Sequence, residues 1–341
     1  MWTGTKKALK AAHEGASGAV ATSSGSAATA LLFQAAAARG TIVASSSAYH
    51  GTLRQLAEYV PAIGGQVRHV PTEDLDAVRA VVDEVGDQLG LLFVETPANP
   101  LLGISDLAAL ADLAAGLGVP LACDSTFATP VLQRPLDLGA GIVIHSSTKY
   151  LGGHGDLMGG ALIFRGWEDW AEQITGLRGV TGAVPSPFDC WLLQRSLPTL
   201  PQRVRAQAAS ARRLADFLTG RPEVRAVLYP GLPSHPGHAV AARQMSDFGG
   251  MLSFRLAGGQ AAALAVAARV GIFTRATSLG GIESLIEHRA SIEGPGTRTP
   301  EDLLRVSVVL EHTEDLAADR TIAGTPAFMP LEQLRGALGD V

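Results

Sequence analysis

The chain has 341 residues, 47% hydrophobic and 17% charged, with a formal net charge of −5. This composition is typical of a globular protein large enough for two domains, and it excludes a basic nucleic-acid-binding protein. Cys123 and Cys190 are the only cysteines, there is no signal-peptide pattern, and no apolar run is long enough for a membrane span, so we expect a cytoplasmic protein without a disulfide framework or zinc site.

The first half of the chain predicts alternating strands and helices. After the end of a helix at 6–14, strands are predicted at 19–21, 41–45, 66–70, 91–94, 119–123 and 141–144. The helices between them are predicted at 27–39, 49–59, 74–85 and 105–117, the last with Ser105 as its N-cap. Apolar strands separated by helices imply an α/β fold with a mostly parallel sheet that is covered on both faces.

The pattern changes beyond residue 163. A long helical stretch at 188–218, broken near Pro198 and Pro201, leads into strands at 224–229, 251–256 and 304–310 and helices at 239–245 and 260–270. We therefore predict a cofactor-binding α/β domain over residues 1–205, a smaller α+β domain over 206–330 and a tail over 331–341.

Lys149 is the strongest candidate for chemistry. It follows the apolar run 141–144, and the hydroxyls of Ser146 and Thr148 precede it. Partial burial at the end of a strand disfavours the ammonium form and leaves a nucleophilic amine. An amine beside hydroxyls suited to a phosphate is what a Schiff base with pyridoxal phosphate requires. The alternative is an exposed lysine beside a Ser/Thr turn.

Other polar residues follow predicted strand ends, where parallel sheets bind their ligands: Glu95, Asn99, Asp124 and Ser146. A buried Asp124 needs a partner, and a protonated pyridine nitrogen would be one, keeping the ring able to accept electrons; otherwise Asp124 caps a turn. Tyr49 could stack on a planar cofactor or anchor its helix in the core.

Three further patterns have two possible interpretations each. The small-residue turn at 22–26 opens a helix and could bind a phosphate, or Ser could simply cap the helix. Arg305 could bind a substrate carboxylate bidentately, or form an ordinary ion pair. His235 and His238 have no third ligand nearby in sequence, so we predict no metal site.

Together these residues resemble the Cys/Met-metabolism family of pyridoxal-phosphate enzymes, which includes cystathionine γ-synthase, cystathionine γ- and β-lyases, methionine γ-lyase and the homoserine-ester sulfhydrylases. The matching motifs occur in order between about residues 12 and 320: Ser23-Ser24-Gly25-Ser26, Tyr49-His50-Gly51-Thr52, residues 95–100, Asp124-Ser125-Thr126-Phe127, residues 145–156, residues 232–238, Ser278 to Leu285 and Leu304-Arg305-Val306-Ser307.

The resemblance implies a fold-type-I enzyme that binds pyridoxal 5'-phosphate and an amino-acid substrate, and forms a homodimer or homotetramer. Lys149 would carry the cofactor, Asp124 would pair with its pyridine nitrogen, and Tyr49 would stack on its ring. The resemblance gives the remaining roles to Gly25, Ser26, Ser146 and Thr148 at the phosphate, Asn99 near the ring hydroxyl, Thr126 in the cofactor site, and Ser278 and Arg305 at the substrate carboxylate.

Three departures from the family pattern accompany the resemblance. An N-terminal segment that relatives carry, with a Tyr and an Arg that reach the neighbouring subunit's phosphate, is expected to be missing. Thr277 stands where enzymes that handle cystathionine through γ-chemistry commonly have Glu. Val309 stands where Gly is usual, so we expect it to crowd the site.

We therefore predict elimination or replacement at the β or γ carbon of a sulfur amino acid or homoserine ester. The segment from Ser278 to Leu285 favours a cystathionine γ-lyase-like activity, with γ-replacement of the γ-synthase or sulfhydrylase type as the alternative. Two other hypotheses are a different fold-type-I activity, such as an aminotransferase or desulfurase, and a shortened subunit of weak or no activity.

Overall fold

The computed structural model describes residues 2–13, 15–311 and 315–316. Its larger sheet has the order β1-β7-β6-β5-β4-β2-β3. The strands are β1 (Gly18–Thr22), β2 (Thr41–Ser45), β3 (Val67–Val70), β4 (Leu89–Glu95), β5 (Leu121–Asp124), β6 (Ile142–Ser146) and β7 (Gly160–Phe164). All are mutually parallel except β7, which runs antiparallel to both β1 and β6. The carboxyl ends of β4, β5 and β6 therefore meet at one edge of the sheet.

Helices pack on both faces of this sheet because its strands are apolar on both sides. Leu91 and Phe93 of β4 pack on one face, where Phe93 meets Phe33 edge to face, while Leu92 and Val94 pack on the other. The helices are α1 (Trp2–Ala12), α2 (Gly25–Ala37), α3 (His50–Arg54), α4 (Val60–Ala62), α5 (Leu75–Val85), α6 (Leu107–Gly116), α7 (Thr129–Leu132), α8 (Glu168–Thr181) and α9 (Pro187–Ser196), with a π-helical turn at Gln55–Tyr59 and 3₁₀ turns at Gly86–Gln88, Pro135–Leu138 and Leu197–Thr199.

A long helix, α10 (Leu200–Thr219), leads from the larger sheet to a second one. The second sheet has the order β10-β11-β12-β9-β8. Its elements are β8 (Val224–Leu228), α11 (His238–Gln244), β9 (Met251–Leu256), α12 (Gly259–Arg269), β10 (Thr274–Arg275), β11 (Leu285–His288), α13 (Arg289–Glu293) and β12 (Leu303–Ser307). The domain boundary predicted after residue 205 lies inside α10 and stays a prediction, and the predicted tail lies outside the described residues.

The predicted architecture of a mostly parallel, doubly covered sheet followed by a smaller α+β unit is confirmed. Several details were wrong. The antiparallel strand β7 and the short β10 and β11 were not predicted, and β12 ends at Ser307 rather than at residue 310. Asp106 caps α6 by accepting a hydrogen bond from the Ala109 amide, whereas the Ser105 hydroxyl points inward to Thr72. In the described part of the chain, the helices are too short or too polar to cross a membrane.

Candidate active site

A cavity of about 200 Å³ lies at the carboxyl ends of β4, β5 and β6, beneath residues of the second sheet. It brings together almost every residue predicted from the sequence. The predicted residues that line it are Gly25, Ser26, Tyr49, Asn99, Asp124, Thr126, Ser146, Thr148, Lys149 and Arg305. Ser278, the remaining one, contacts the lysine amine. Residues about 280 positions apart in sequence therefore share one site.

Lys149 lies in the turn that follows β6, and its Nζ donates a hydrogen bond to Ser278 Oγ at 3.0 Å. Burial and the nearby Arg305 guanidinium lower the pKa of Lys149 to about 8, while the Glu287 carboxylate opposes this shift. A larger fraction of this amine than of an ordinary lysine is thus neutral and nucleophilic near physiological pH. The chain has only three other lysines, Lys6, Lys7 and Lys10, all near its start.

Asp124 ends β5 and is nearly buried. Its Oδ1 accepts hydrogen bonds from the Thr126 amide at 3.0 Å and the Thr126 hydroxyl at 2.6 Å, and Oδ2 receives none from the described residues. Burial raises the pKa of Asp124 to about 6, although the bonds from Thr126 oppose the shift. The Thr126 hydroxyl also accepts from the Ser146 amide at 2.9 Å, so it fixes the ends of β5 and β6 relative to each other.

Glu95 has an organising role that the sequence did not assign. Its two carboxyl oxygens accept the backbone N–H groups of Tyr49 and Asn99, each at 2.8 Å, so one side chain holds both loops in place. Glu95 lies beside Asp124 in the register of β4 and β5. Burial first, and then the neighbouring Asp124, raise the pKa of Glu95 to about 8. The signal in the sequence was the strand-end position that also identified Asp124.

The N-terminus of α2 forms the opposite end of the cavity. Ser24 caps the helix by accepting from the Ala27 amide at 3.0 Å, and helix geometry leaves the first amides without intrahelical acceptors. A Cβ added to Gly25 would lie 2.7 Å from Ser146 Cβ, so only glycine allows the helix this close to β6. This arrangement presents N–H groups and a hydroxyl to an anion.

Thr148 lines the cavity, but its hydroxyl is already bonded. It donates to the Gly159 carbonyl at 3.2 Å and accepts from the Gly159 amide at 3.0 Å. Its predicted role at the phosphate stays a prediction, because its proton would have to leave the Gly159 carbonyl. Val309 does not crowd the cavity as the sequence led us to expect. Its side chain is fully buried and does not line the cavity, and its amide donates a hydrogen bond to Ser284 Oγ.

Arg305 extends from β12 into the cavity wall and is only 2% exposed. Its Nη1 donates to Asn99 Oδ1 at 3.1 Å, and its Nη2 donates to the carbonyls of Thr277 and Ser278 at 2.7 and 3.0 Å. Nη2 also lies 2.6 Å from Glu287 Oε1. Burial lowers the pKa of Arg305 to about 10. Arg305 therefore lines the cavity and forms the ion pair, while its predicted role at the substrate carboxylate stays a prediction.

These residues fit pyridoxal 5'-phosphate, the cofactor expected from the sequence. Asp124 Oδ2 can accept a hydrogen bond from a protonated ring nitrogen. Asn99 can donate a hydrogen bond to the ring hydroxyl through its amide NH₂, because its carbonyl oxygen already accepts from Arg305. The 45% exposed Tyr49 lies at the cavity wall with an accessible aromatic face. The helix N-terminus suits the phosphate, and Lys149 provides the amine.

Comparisons with known proteins agree with this chemistry. The sequence matches the model of the Cys/Met metabolism PLP-dependent enzymes over residues 5–323. A cystathionine gamma-synthase of Mycobacterium bovis (strain ATCC BAA-935 / AF2122/97) is 45% identical over 317 residues, which cover 91% of this chain and 80% of the relative. A cystathionine gamma-lyase of Saccharomyces cerevisiae (strain ATCC 204508 / S288c) is 40% identical over 324 residues, covering 91% and 81%. The structure of cystathionine gamma synthase from Xanthomonas oryzae pv. oryzae in complex with aminoacrylate and cysteine matches with a TM-score of 0.88 at 37% identity, covering 93% of this chain and 84% of that chain.

Proposed function

This chain belongs to the Cys/Met metabolism PLP-dependent enzyme family, and we propose on that basis that it replaces the γ-substituent of a homoserine ester with the thiol of cysteine. The family membership makes it a fold-type-I, PLP-dependent enzyme of sulfur amino-acid metabolism, as the sequence resemblance implied. The observation that carries the finer proposal is the 45% identity to a cystathionine gamma-synthase over 91% of the chain.

The side chain at position 277 does not separate ester replacement from cystathionine elimination. Thr277 lines the cavity, and its carbonyl accepts from Arg305. Enzymes that handle cystathionine through γ-chemistry commonly have Glu at this position, so the neutral threonine is a departure from the family pattern for both reactions. The preference for an ester therefore rests on the sequence identity to a cystathionine gamma-synthase.

Each residue has a role in this reaction. Pyridoxal phosphate, when bound, supplies the electron sink that makes the α-proton of the amino acid acidic. Lys149 is positioned to bind the cofactor, and its amine, with a lowered pKa, can then accept that proton and return it. Ser278 holds the amine through its hydroxyl, and Arg305 binds the substrate carboxylate. Asp124 keeps a proton on the ring nitrogen.

A second candidate is γ-elimination from cystathionine by a lyase. The yeast cystathionine gamma-lyase is 40% identical, and the segment from Ser278 to Leu285 favoured this activity in the sequence. The two reactions share their first steps and differ in whether a thiol or water completes them, so the same residues support both.

A product assay separates the two candidates. The purified holoenzyme is supplied with cysteine and the acetyl, succinyl or phosphoryl ester of homoserine, and cystathionine is measured by mass spectrometry. In a parallel assay it receives cystathionine alone, and 2-oxobutanoate is measured. We expect faster formation of cystathionine from at least one ester. Release of 2-oxobutanoate without replacement on any ester would contradict the proposal and favour the lyase.

Assembly and location are part of the proposal as well. We expect a homodimer or homotetramer that works in the cytoplasm. Measuring the mass of the native protein in solution tests the expected assembly.

A further inference from the structure

A row of alternating charges lies behind the Arg305 guanidinium. Arg305 on β12 faces Glu287 on β11 directly across the antiparallel pair of strands. Glu287 Oε1 lies 2.6 Å from Arg305 Nη2 and 3.3 Å from Nη1 of Arg289. Arg289 Nε in turn lies 2.7 Å from Glu293 Oε1. The four side chains therefore form the series Arg305, Glu287, Arg289 and Glu293, whose charges sum to zero.

The series is buried, so water screens the interactions between its charges only weakly. The side chains of Arg305, Glu287 and Arg289 are 2%, 4% and 4% exposed. Glu293, 10% exposed, is fixed at the far end by the hydroxyls of Thr297 and Thr299. Burial raises the pKa of Glu287, and the guanidinium groups of Arg305 and Arg289 oppose that shift by favouring the charged form of the carboxyl. Water screens such pairs much less than pairs at the surface.

The Arg305 guanidinium is therefore already paired with acceptors of the protein. Its Nη2 carries two hydrogens but is surrounded by three acceptors, the carbonyls of Thr277 and Ser278 and the Glu287 carboxylate. Any carboxylate that approaches Arg305 from the cavity must share the guanidinium charge with Glu287. The strength of that competition depends on Arg289, which draws Glu287 towards itself.

We propose that Glu287 and Arg289 are positioning residues whose opposite charges set how tightly Arg305 holds the α-carboxylate of the substrate. Glu287 weakens the binding and fixes the guanidinium, whereas Arg289 restrains Glu287 and strengthens the binding. The proposal rests on the carboxylate-binding role of Arg305 given above. It does not depend on which leaving group or nucleophile the enzyme uses.

If charge sets the affinity for the carboxylate, the substitutions at Glu287 and Arg289 should change that affinity in opposite directions, which a loss of structure would not do. Glu287→Gln keeps the shape and an acceptor oxygen but removes a negative charge, so a carboxylate should bind about tenfold more tightly. Arg289→Gln removes a positive charge behind Glu287, so a carboxylate should bind more weakly by a similar factor. The double variant restores the net charge and should return the affinity towards that of the unaltered protein. Simple disruption of the site would weaken binding in all three.

The experiment uses two unreactive probes with the holoenzyme, L-norvaline and n-butylamine, which differ only by the carboxylate. Dissociation constants are measured from the change in the cofactor's absorption spectrum, without turnover. The ratio of the two constants isolates the carboxylate. Asp302→Asn is the matched control, because Asp302 also pairs with an arginine beside this sheet, Arg255 at 2.7 Å, but does not line the cavity.

The expected result is a norvaline preference that rises in Glu287→Gln, falls in Arg289→Gln, is close to normal in the double variant and is unchanged in Asp302→Asn. Shifts of the same sign in Glu287→Gln and Arg289→Gln, or no shift in either, would overturn the proposal. An undiminished norvaline preference in Arg305→Met would show that Arg305 does not bind the carboxylate, and would overturn the proposal on that ground alone. The γ-replacement proposal stands or falls separately, on the cystathionine assay.

Discussion

The amine of Lys149 donates a hydrogen bond to the Ser278 hydroxyl at 3.0 Å, although the two residues lie next to different sheets. Lys149 follows β6 of the seven-stranded sheet, and Ser278 lies between β10 and β11 of the five-stranded sheet. The candidate active site is therefore assembled only when both parts of the chain have folded against each other. The same contact brings the lysine within the electrostatic influence of Arg305 and Glu287.

The pKa of the Lys149 amine provides the first prediction. In the cofactor-free protein it should titrate near pH 8, because burial and Arg305 disfavour the ammonium form. Arg305→Gln should raise the pKa, and Glu287→Gln should lower it further. Carbon NMR of reductively methylated protein measures the titration, and the signal is assigned with Lys149→Gln. A pKa that rises in Glu287→Gln would contradict the electrostatic account.

The second prediction concerns stability in the absence of cofactor. The pKa values of Glu95 and Asp124 are about 8 and 6 in the folded protein, above their ordinary values of 4.5 and 3.8. The folded state therefore binds protons more tightly than the unfolded state, so this contribution is greatest at low pH and is lost as pH rises from about 4 to 8. We expect urea denaturation to show a free energy of unfolding lower by several kcal/mol at pH 8 than at pH 5.

Glu95→Gln is the control for this effect. The variant cannot titrate at position 95, so its free energy of unfolding should depend less on pH, even if the protein is less stable overall. The altered amide must place a donor against the Tyr49 or Asn99 amide, which accounts for the expected loss. An unchanged slope in Glu95→Gln would assign the pH dependence to other groups.

A third prediction is that Asp124→Ala lowers turnover at least about a hundredfold with saturating cofactor, because in the proposed role this buried carboxylate would maintain the charge on the ring nitrogen. Chemical denaturation should show a much smaller effect on folding. The measurement is kcat for the reaction identified in the product assay. Near-normal turnover would mean that Asp124 acts only through its hydrogen bonds with Thr126.

The fourth prediction concerns Gly25 at the start of α2. In Gly25→Ala the new methyl group would lie 2.7 Å from Ser146 Cβ and would separate the helix from β6. We expect the cofactor to bind about tenfold more weakly, which equilibrium dialysis of the cofactor measures. Gly176→Ala in α8 is the matched control, since nothing lies within 4 Å of the added carbon. That variant should be more stable by about 0.5–1 kcal/mol and should bind cofactor normally.

The sequence predicted those parts of the candidate site whose residues are brought together by their positions at strand ends. Asp124 and Glu95 end apolar strands and Lys149 follows one, and parallel strands bring such positions to one edge. Hydrogen-bond partners were not predictable in this way. The Thr148 hydroxyl bonds to Gly159 because the unpredicted strand β7 begins next to it, and Glu287 meets Arg305 because the short β11 pairs with β12. These contacts depend on tertiary pairing and not on local pattern.

The attachment site of the cofactor tests the central claim most directly. Borohydride reduction of the holoenzyme, followed by proteolysis and mass spectrometry, identifies the lysine that carries pyridoxal phosphate. The four lysines of the chain make the result unambiguous, since Lys6, Lys7 and Lys10 lie together near the start and Lys149 stands alone. We predict a reduced adduct on Lys149 and its loss in Lys149→Ala. A specific adduct on one of the other three lysines, or a saturated holoenzyme with no adduct on Lys149, would contradict the account.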